Sequence, residues 1–273
     1  MITIRNGTGY TALSAGSVSG AEMSLLRFIA SRMAVVYPNV PTLTFELRMR
    51  NHIVNAARSL NISGASFSTF ETSFCNPEYW NREPNGAFRL RPDRSPAEAI
   101  RDIFANGYLY GFECATAMII VLYKAALDSI GDTAYNRLFA NTYLYTWVVD
   151  RDLGLTTRPE TQFIPGDILY FDNPEVDPLT PQWQGENVVY INEDLYYGHG
   201  IGITSAAHII AELNAHRRPG AIQSAFMLMQ ATRPDYVRLS QSLGTAPGAY
   251  PIPGLPGGLP YRARIGNGLY LFS

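Results

Sequence analysis

The stretch FECATAMIIVLYKAALDSIGD, residues 112–132, decides how the chain is read. From Glu113 to Ile130 it is almost continuously apolar, and Gly131-Asp132 stops it, so the spacing predicts a long helix with Cys114 in its first turn. Its apolar run, residues 115–127, is interrupted by Thr116 and Lys124 and is too short to cross a bilayer. No membrane segment is expected.

Upstream, Ser95-Pro96-Ala97-Glu98 combines an N-cap serine, a proline at the first helical position and an acid at the third. A helix should run from there to about Ala105, where Asn106-Gly107 breaks it. Apolar residues at helical spacing predict two earlier helices, over residues 21–36 and 45–60. Between them and the capped helix, residues 65–91 carry aromatics among Asn, Pro and Gly, which suits short strands and tight turns. Downstream, residues 134–141 read as helical, and Tyr143 to Val149 fits either strand or helix.

From Pro165 onward the pattern becomes that of strands: residues 168–171, 187–191 and 195–203, an expected antiparallel sheet. Residues 206–217 form an amphipathic helix, and a further helix is expected over 224–230. The first 20 residues read as a loosely tied arm, residues 21–243 as one domain, and 244–273 as an extended Pro/Gly-rich tail. The fold class is α+β, with helices packed on an antiparallel sheet.

At 273 residues the chain can bury a sizeable core, and 21 basic against 23 acidic residues give no basic footprint for nucleic acid. The opening segment lacks the pattern of a secretory signal, so the protein is expected to stay in the cell that makes it. Two cysteines, Cys75 and Cys114, make no disulfide framework, and no Cys/His pair has zinc spacing, so neither a redox nor a metal scaffold is expected.

Cys114 stands out because the exposed N–H groups and dipole of a helix start stabilise a thiolate. The competing reading is a buried small hydrophobe; Cys75, in a turn-rich context, is read as structural. A catalytic thiolate needs a proton shuttle, and among His52, His199, His208 and His216 the one set apart is His199. In Tyr196-Tyr197-Gly198-His199-Gly200-Ile201-Gly202-Ile203 a period of two puts Tyr197 and His199 on one strand face and the glycines on the other. A hairpin centred on Asn192-Glu193 would set Glu186 directly opposite His199. Glu113 precedes the thiol, either as a first-turn acid or with a second role.

These residues lie in strings that carry a resemblance: Ser63-Gly64-Ala65-Ser66-Phe67-Ser68-Thr69-Phe70, Phe112-Glu113-Cys114-Ala115-Thr116-Ala117-Met118, Gly185-Glu186-Asn187-Val188 and Gly198-His199-Gly200-Ile201-Gly202-Ile203. In that order they resemble the spore-coat protein-glutamine gamma-glutamyltransferases of Bacillus and its relatives, over about residues 43–240. The resemblance implies a cysteine acyltransferase with a papain-like NlpC/P60-type core, nucleophile at a helix N-terminus, working without calcium or cofactor.

By matching position, Cys114 would be the nucleophile, with His199 and Glu186 as acid, base and orienting partners. Glu113 would be a carboxylate that partly substitutes for Glu186, and Phe67 a residue at the tunnel entrance. Trp147, Tyr170, Trp183 and Tyr197 are further candidates for aromatic walls, Trp183 and Tyr197 being counted with Phe67 as substrate-binding. The implied partners are protein substrates, glutamine donors and lysine acceptors of the spore coat, met first in the cytoplasm of the sporulating cell. Two rivals stay open: a cysteine peptidase or amidase that passes the acyl group to water, and a non-catalytic coat protein.

Overall fold

The computed structural model describes residues 2–4, 19–242, 261–265 and 268–272. The chain opens with β1 (Ile2–Ile4), α1 (Gly20–Arg32), β2 (Val35–Tyr37) and α2 (Val40–Asn61). Ser19 and Glu22 close a capping box on α1, and the Asn39 side chain accepts the Thr42 N–H to start α2. β1 pairs in parallel with β2, Ile2 opposite Val35, and buries Ile2 and Ile4 with Leu26, Ile29 and Leu43. The expected loose arm is therefore corrected at these three residues, whose two isoleucines alternate onto an apolar cluster; residues 5–18 lie outside the described residues.

Next come β3 (Ser66–Phe67), β4 (Trp80–Arg82), β5 (Phe88–Leu90), α3 (Pro96–Ala105), β6 (Gly111–Phe112), α4 (Cys114–Ile130), α5 (Asp132–Leu138) and β7 (Tyr143–Leu144). Every residue of α4 is buried except Lys124 and Asp128, which pair with each other one turn apart. A helix apolar all round has no other stable place than the middle of the core. Of the segment 143–149, only Tyr143 and Leu144 form a strand, beside β5.

The second half contains β8 (Thr156–Pro159), β9 (Ile168–Asp172), β10 (Gly185–Asn192), β11 (Leu195–Gly198), β12 (Gly202–Thr204), α6 (Ala206–Ala215), β13 (Phe226–Met227), β14 (Gln230–Arg233) and α7 (Tyr236–Gln241). The strands make one sheet in the order β12-β11-β10-β9-β14-β8, with β13 also on β9. Ile168, Val189, Ile191 and Tyr197 face α2 and α4, whereas Leu169, Phe171, Val188 and Tyr196 face Ile209 and Leu213 of α6. Two helical layers thus sandwich an antiparallel sheet, the alternation of each strand serving both. A buried ion cluster ties the layers together: Asp167 accepts from Arg50 of α2 at 2.8 Å and from Arg233 of β14 at 2.7 Å.

Three expectations are corrected. Residues 195–203 are two strands with a tight turn, because Gly200 and Gly202 take φ of +101° and +95° and fold Ile203 back onto Tyr197. Residues 224–230 are no helix: Phe226 and Met227 add to the edge of β9 opposite Asp172 and Phe171, and sheet pairing overrides the helical propensity of the Met-rich run. Within the tail, β15 (Tyr261–Ile265) and β16 (Gly268–Phe272) pair as a hairpin, where an extended chain was expected; the Pro/Gly run before them lies outside the described residues.

Candidate active site

Cys114 is the first residue of α4, and Glu113 caps the helix. The Glu113 carboxylate accepts the N–H groups of Ala115 and Thr116 at 2.6 and 2.7 Å, and the Thr116 hydroxyl at 2.7 Å. That hydroxyl in turn accepts the Thr146 N–H at 2.9 Å, fixing the segment that carries Trp147. The acid before the thiol is thus an N-cap, using the donors that a bare helix start would have offered to sulfur.

Docking of β10 on α4 brings Asn187 to the sulfur, its Nδ2 donating to Cys114 Sγ at 3.4 Å, and the Asn187 backbone N–H donates there as well. Glu186, only 3% exposed, lies next to the same sulfur. Burial pushes the thiol well above its ordinary range, and the carboxylates of Glu186 and Glu113 push it further. The thiolate expected from the helix dipole is therefore not the resting form, because burial and two nearby acids outweigh it. Burial also raises Glu186 strongly, with Glu113 adding to it and the His199 backbone N–H opposing. Glu113 itself is raised by burial against its own hydrogen bonds. Burial thus favours a neutral thiol and raises the proton affinity of both neighbouring carboxylates, which suits Glu186 to take up the thiol proton.

Glu186 is not directly opposite His199. The hairpin turns on Glu193-Asp194, one residue later than expected, with Asn192 opposite Leu195, and an irregularity at Ile191 takes back part of that shift, so Val188 faces Gly198. The Glu186 side chain instead lies across Gly198, with Oε1 2.8 Å from where a Cβ at 198 would stand. Only glycine leaves that space, which is the close approach its strand position foretold.

His199 sits in the turn after β11, 3% exposed, with both ring nitrogens engaged. Nδ1 accepts from the Tyr197 hydroxyl at 3.0 Å, and Nε2–H donates to the Ser66 carbonyl at 3.1 Å. Its ring stacks on Phe112 with centroids 4.7 Å apart. Burial lowers its pKa to about 4, the backbone carbonyls of Ser66 and Phe112 partly opposing. The imidazole is neutral, and its hydrogen bonds run to β3 and β11; the sulfur's own partners are Asn187 and Glu186. Phe67, opposite Phe112 in the parallel β3–β6 pair, packs at 3.1 Å from the Cβ position of Gly200 and so abuts the same turn.

The structure brings Cys114, Glu186, Glu113, His199, Tyr197 and Phe67 into one neighbourhood. Tyr197 is fully buried and serves as a partner of the imidazole. Trp183 instead stacks on His216 at 3.9 Å, on the α6 side of the sheet. A narrow crevice, too tight to hold a water molecule, is bordered by Trp147, Tyr170, Asn187 and Thr232. A roomier cavity of about 450 Å³, lined by Arg32, Gln162, Tyr190 and Tyr196, lies at the far end of β10, so volume alone would not find the thiol. Asn187 was missed by sequence reasoning, although it stands beside Glu186 in a string already singled out. Among the described residues no cluster of His, Cys, Asp and Glu could hold a metal ion, and no helix is long and apolar enough to cross a membrane.

Comparison with known proteins gives the family. Residues 1–243 match the family model for protein-glutamine gamma-glutamyltransferase. A protein-glutamine gamma-glutamyltransferase of Bacillus pumilus is 47% identical over 81% of this chain and 89% of its own length. One of Bacillus mycoides is 49% identical over 81% of this chain and 80% of its own length. The solved structure of a transglutaminase from Geobacillus stearothermophilus, without its C-terminal extension, superposes with a TM-score of 0.73 at 51% identity, covering 77% of this chain and all of the other. The chain belongs to the protein-glutamine gamma-glutamyltransferase family.

Proposed function

We propose that this protein crosslinks proteins by transferring the acyl group of a glutamine side chain to a lysine amine through a thioester on Cys114. The observation that carries the reading is the sulfur itself: buried at a helix start, touched by the Asn187 donors, and flanked by a carboxyl whose proton affinity burial also raises. A family name gives the reaction; this cluster gives it an atom to start from.

In the first half-reaction the Cys114 thiol passes its proton to Glu186 as sulfur attacks the glutamine carboxamide carbon, and the Asn187 N–H groups stabilise the anionic sulfur. The C–N bond then breaks as Glu186 returns the proton to the leaving nitrogen, and ammonia departs. In the second, a lysine amine attacks the thioester, its proton passes by way of Glu186 to sulfur, and the thiol is regenerated. Glu113 lies close enough to influence Glu186 and takes the secondary carboxylate role. His199 acts as a positioning residue: it pins the turn whose backbone N–H holds Glu186. Phe67, with Trp147 and Tyr170 across the site, keeps water from the thioester, which favours transfer over hydrolysis.

The buried helix-borne thiol on an antiparallel sheet supports a papain-like, NlpC/P60-type core, and the named relatives in sporulating genera support action on spore-coat proteins, first in the cytoplasm of the sporulating cell and then in the coat. Trp183 stays a substrate-contacting candidate only at the outer rim, given its stack on His216. The test is mass spectrometry after mixing the protein with a glutamine peptide and no amine. An adduct on Cys114 seventeen mass units lighter than peptide addition is expected, ammonia having left (about 17 Da per thioester formed). Conversion of the peptide's glutamine to glutamate, without an adduct or amine incorporation, would favour the hydrolase reading instead.

A further inference from the structure

The end of β9 carries a buried acid that the reaction above leaves unused. Asp172 is 7% exposed, its Oδ1 is shut off from solvent, and its carboxylate has no hydrogen-bond or ion-pair partner among the described residues. An uncompensated buried carboxylate is costly, and burial alone raises its proton affinity. Asp167 is held by two arginines, and Glu186, whose Oε1 is likewise unpaired, has the thiol and the His199 N–H as partners; Asp172 has neither kind.

The register says which way Asp172 faces. Tyr170 pairs with Asn187 and Asp172 with Gly185, so Asp172 stands on the same sheet face as the asparagine that touches sulfur, about 7 Å further along the strand. On its other side it pairs with Phe226 of β13, which is 40% exposed. Gly185 presents no side chain there; a Cβ on it would meet the Tyr170 hydroxyl at 2.1 Å, so the Tyr170 ring leans over this place. Tyr170 also borders the crevice that reaches Asn187. The result is an anion with an exposed aromatic on one flank and a tyrosine on the other. Such a place suits a primary ammonium on an aliphatic stem: the stem lies along the rings and the charge meets the carboxylate.

Building on the acyltransferase reading, we propose that Asp172 is the specificity-determining anion of the acceptor side, recognising the lysine ammonium of the second substrate at the mouth flanked by Phe226 and Tyr170. The contact is non-covalent and precedes attack, and the glutamine donor does not use it. A charge-assisted hydrogen bond of this kind is worth about tenfold or more in apparent affinity.

The test uses the full chain with one glutamine peptide and two acceptors, a lysine peptide that is cationic at neutral pH and hydroxylamine, which is not. In Asp172→Asn the KM for the lysine peptide should rise about tenfold or more, while transfer to hydroxylamine and ammonia release from the glutamine peptide stay unchanged. A loss shared by both acceptors, or none with lysine, overturns the proposal. A second measurement needs no variant: on the unaltered enzyme, a peptide bearing dimethyl-lysine, which keeps its charge and one N–H, should compete with the lysine acceptor about tenfold better than one bearing norleucine, and equal competition overturns the subsite. If the unaltered enzyme releases no ammonia from glutamine, the acyltransferase reading itself falls; if it does and Asp172→Asn behaves like it toward lysine, only the subsite falls.

Discussion

Replacing Gly198 by alanine should cripple the enzyme through a single methyl group. The new carbon would stand 2.8 Å from Glu186 Oε1, 3.1 Å from its Cγ and 3.3 Å from its Cδ. Ordinary contact begins at 3.4 Å, so the carboxylate must retreat by about 0.6 Å. It has little freedom to do so, being buried and held by the His199 N–H beside sulfur. Since a misplacement near 1 Å in a reacting constellation costs about a hundredfold, kcat for amine incorporation should fall roughly 10- to 100-fold. Overpacking should also cost about 1–3 kcal/mol of stability. Both are read by a continuous amine-incorporation assay and a urea melt. In a Glu186→Ala background the methyl has room, and its stability cost should disappear, a coupling that only neighbouring groups show. A Gly198→Ala enzyme with unaltered kcat, or a methyl cost that persists without the Glu186 side chain, would refute the reasoning.

Three more outcomes follow from the same geometry. Asn187→Leu removes the side-chain donor that lowers the Cys114 pKa, so below that pKa alkylation by iodoacetamide at pH 8 should slow about 10- to 100-fold; an equal or faster rate would show that the amide does not act on sulfur. His199 has a folded pKa of about 4, below the ordinary 6.5, so the stability it contributes is complete above pH 6.5 and is lost as pH falls toward 4. That loss amounts to about 3 kcal/mol, and His199→Gln should flatten this part of the urea-melt profile, the slope persisting if the residue is not the cause. Asp167→Asn removes the fully buried acid shared by Arg50 and Arg233, leaving them Glu46 and Glu160 as their remaining partners, and should lower the unfolding free energy by about 3 kcal/mol; a drop below about 1 kcal/mol would mean the cluster is dispensable.

Elements that state themselves locally were legible in the chain. The ends of α4 and α3 follow from Gly131 and from Ser95-Pro96, and strands β9 and β10 from their β-branched and aromatic runs. Cys114 at a helix start followed from the same kind of signal. What escaped depends on partners distant in sequence. The turn falls on Glu193-Asp194 where Asn192-Glu193 was expected, and the ladder slips again at Ile191, so Glu186 does not stand opposite His199 and lies across Gly198. The chemistry of the thiol was read with the wrong sign, because its environment is set by Glu186 and Asn187 arriving from another element and by Glu113 spending itself on the helix cap. Likewise β13 exists only as an addition to the edge of β9, which no propensity reveals.

Cys114 precedes Asn187 by 73 positions, and the helix bearing it gathers its carboxyl and amide partners from strands translated later. A nascent chain emerging from the ribosome thus displays the sulfur before Glu186, Asn187 or His199 has been made. The order of synthesis withholds competence from each chain until β10 and β11 have been made, so a polypeptide whose chemistry ties proteins together cannot begin while those strands are missing.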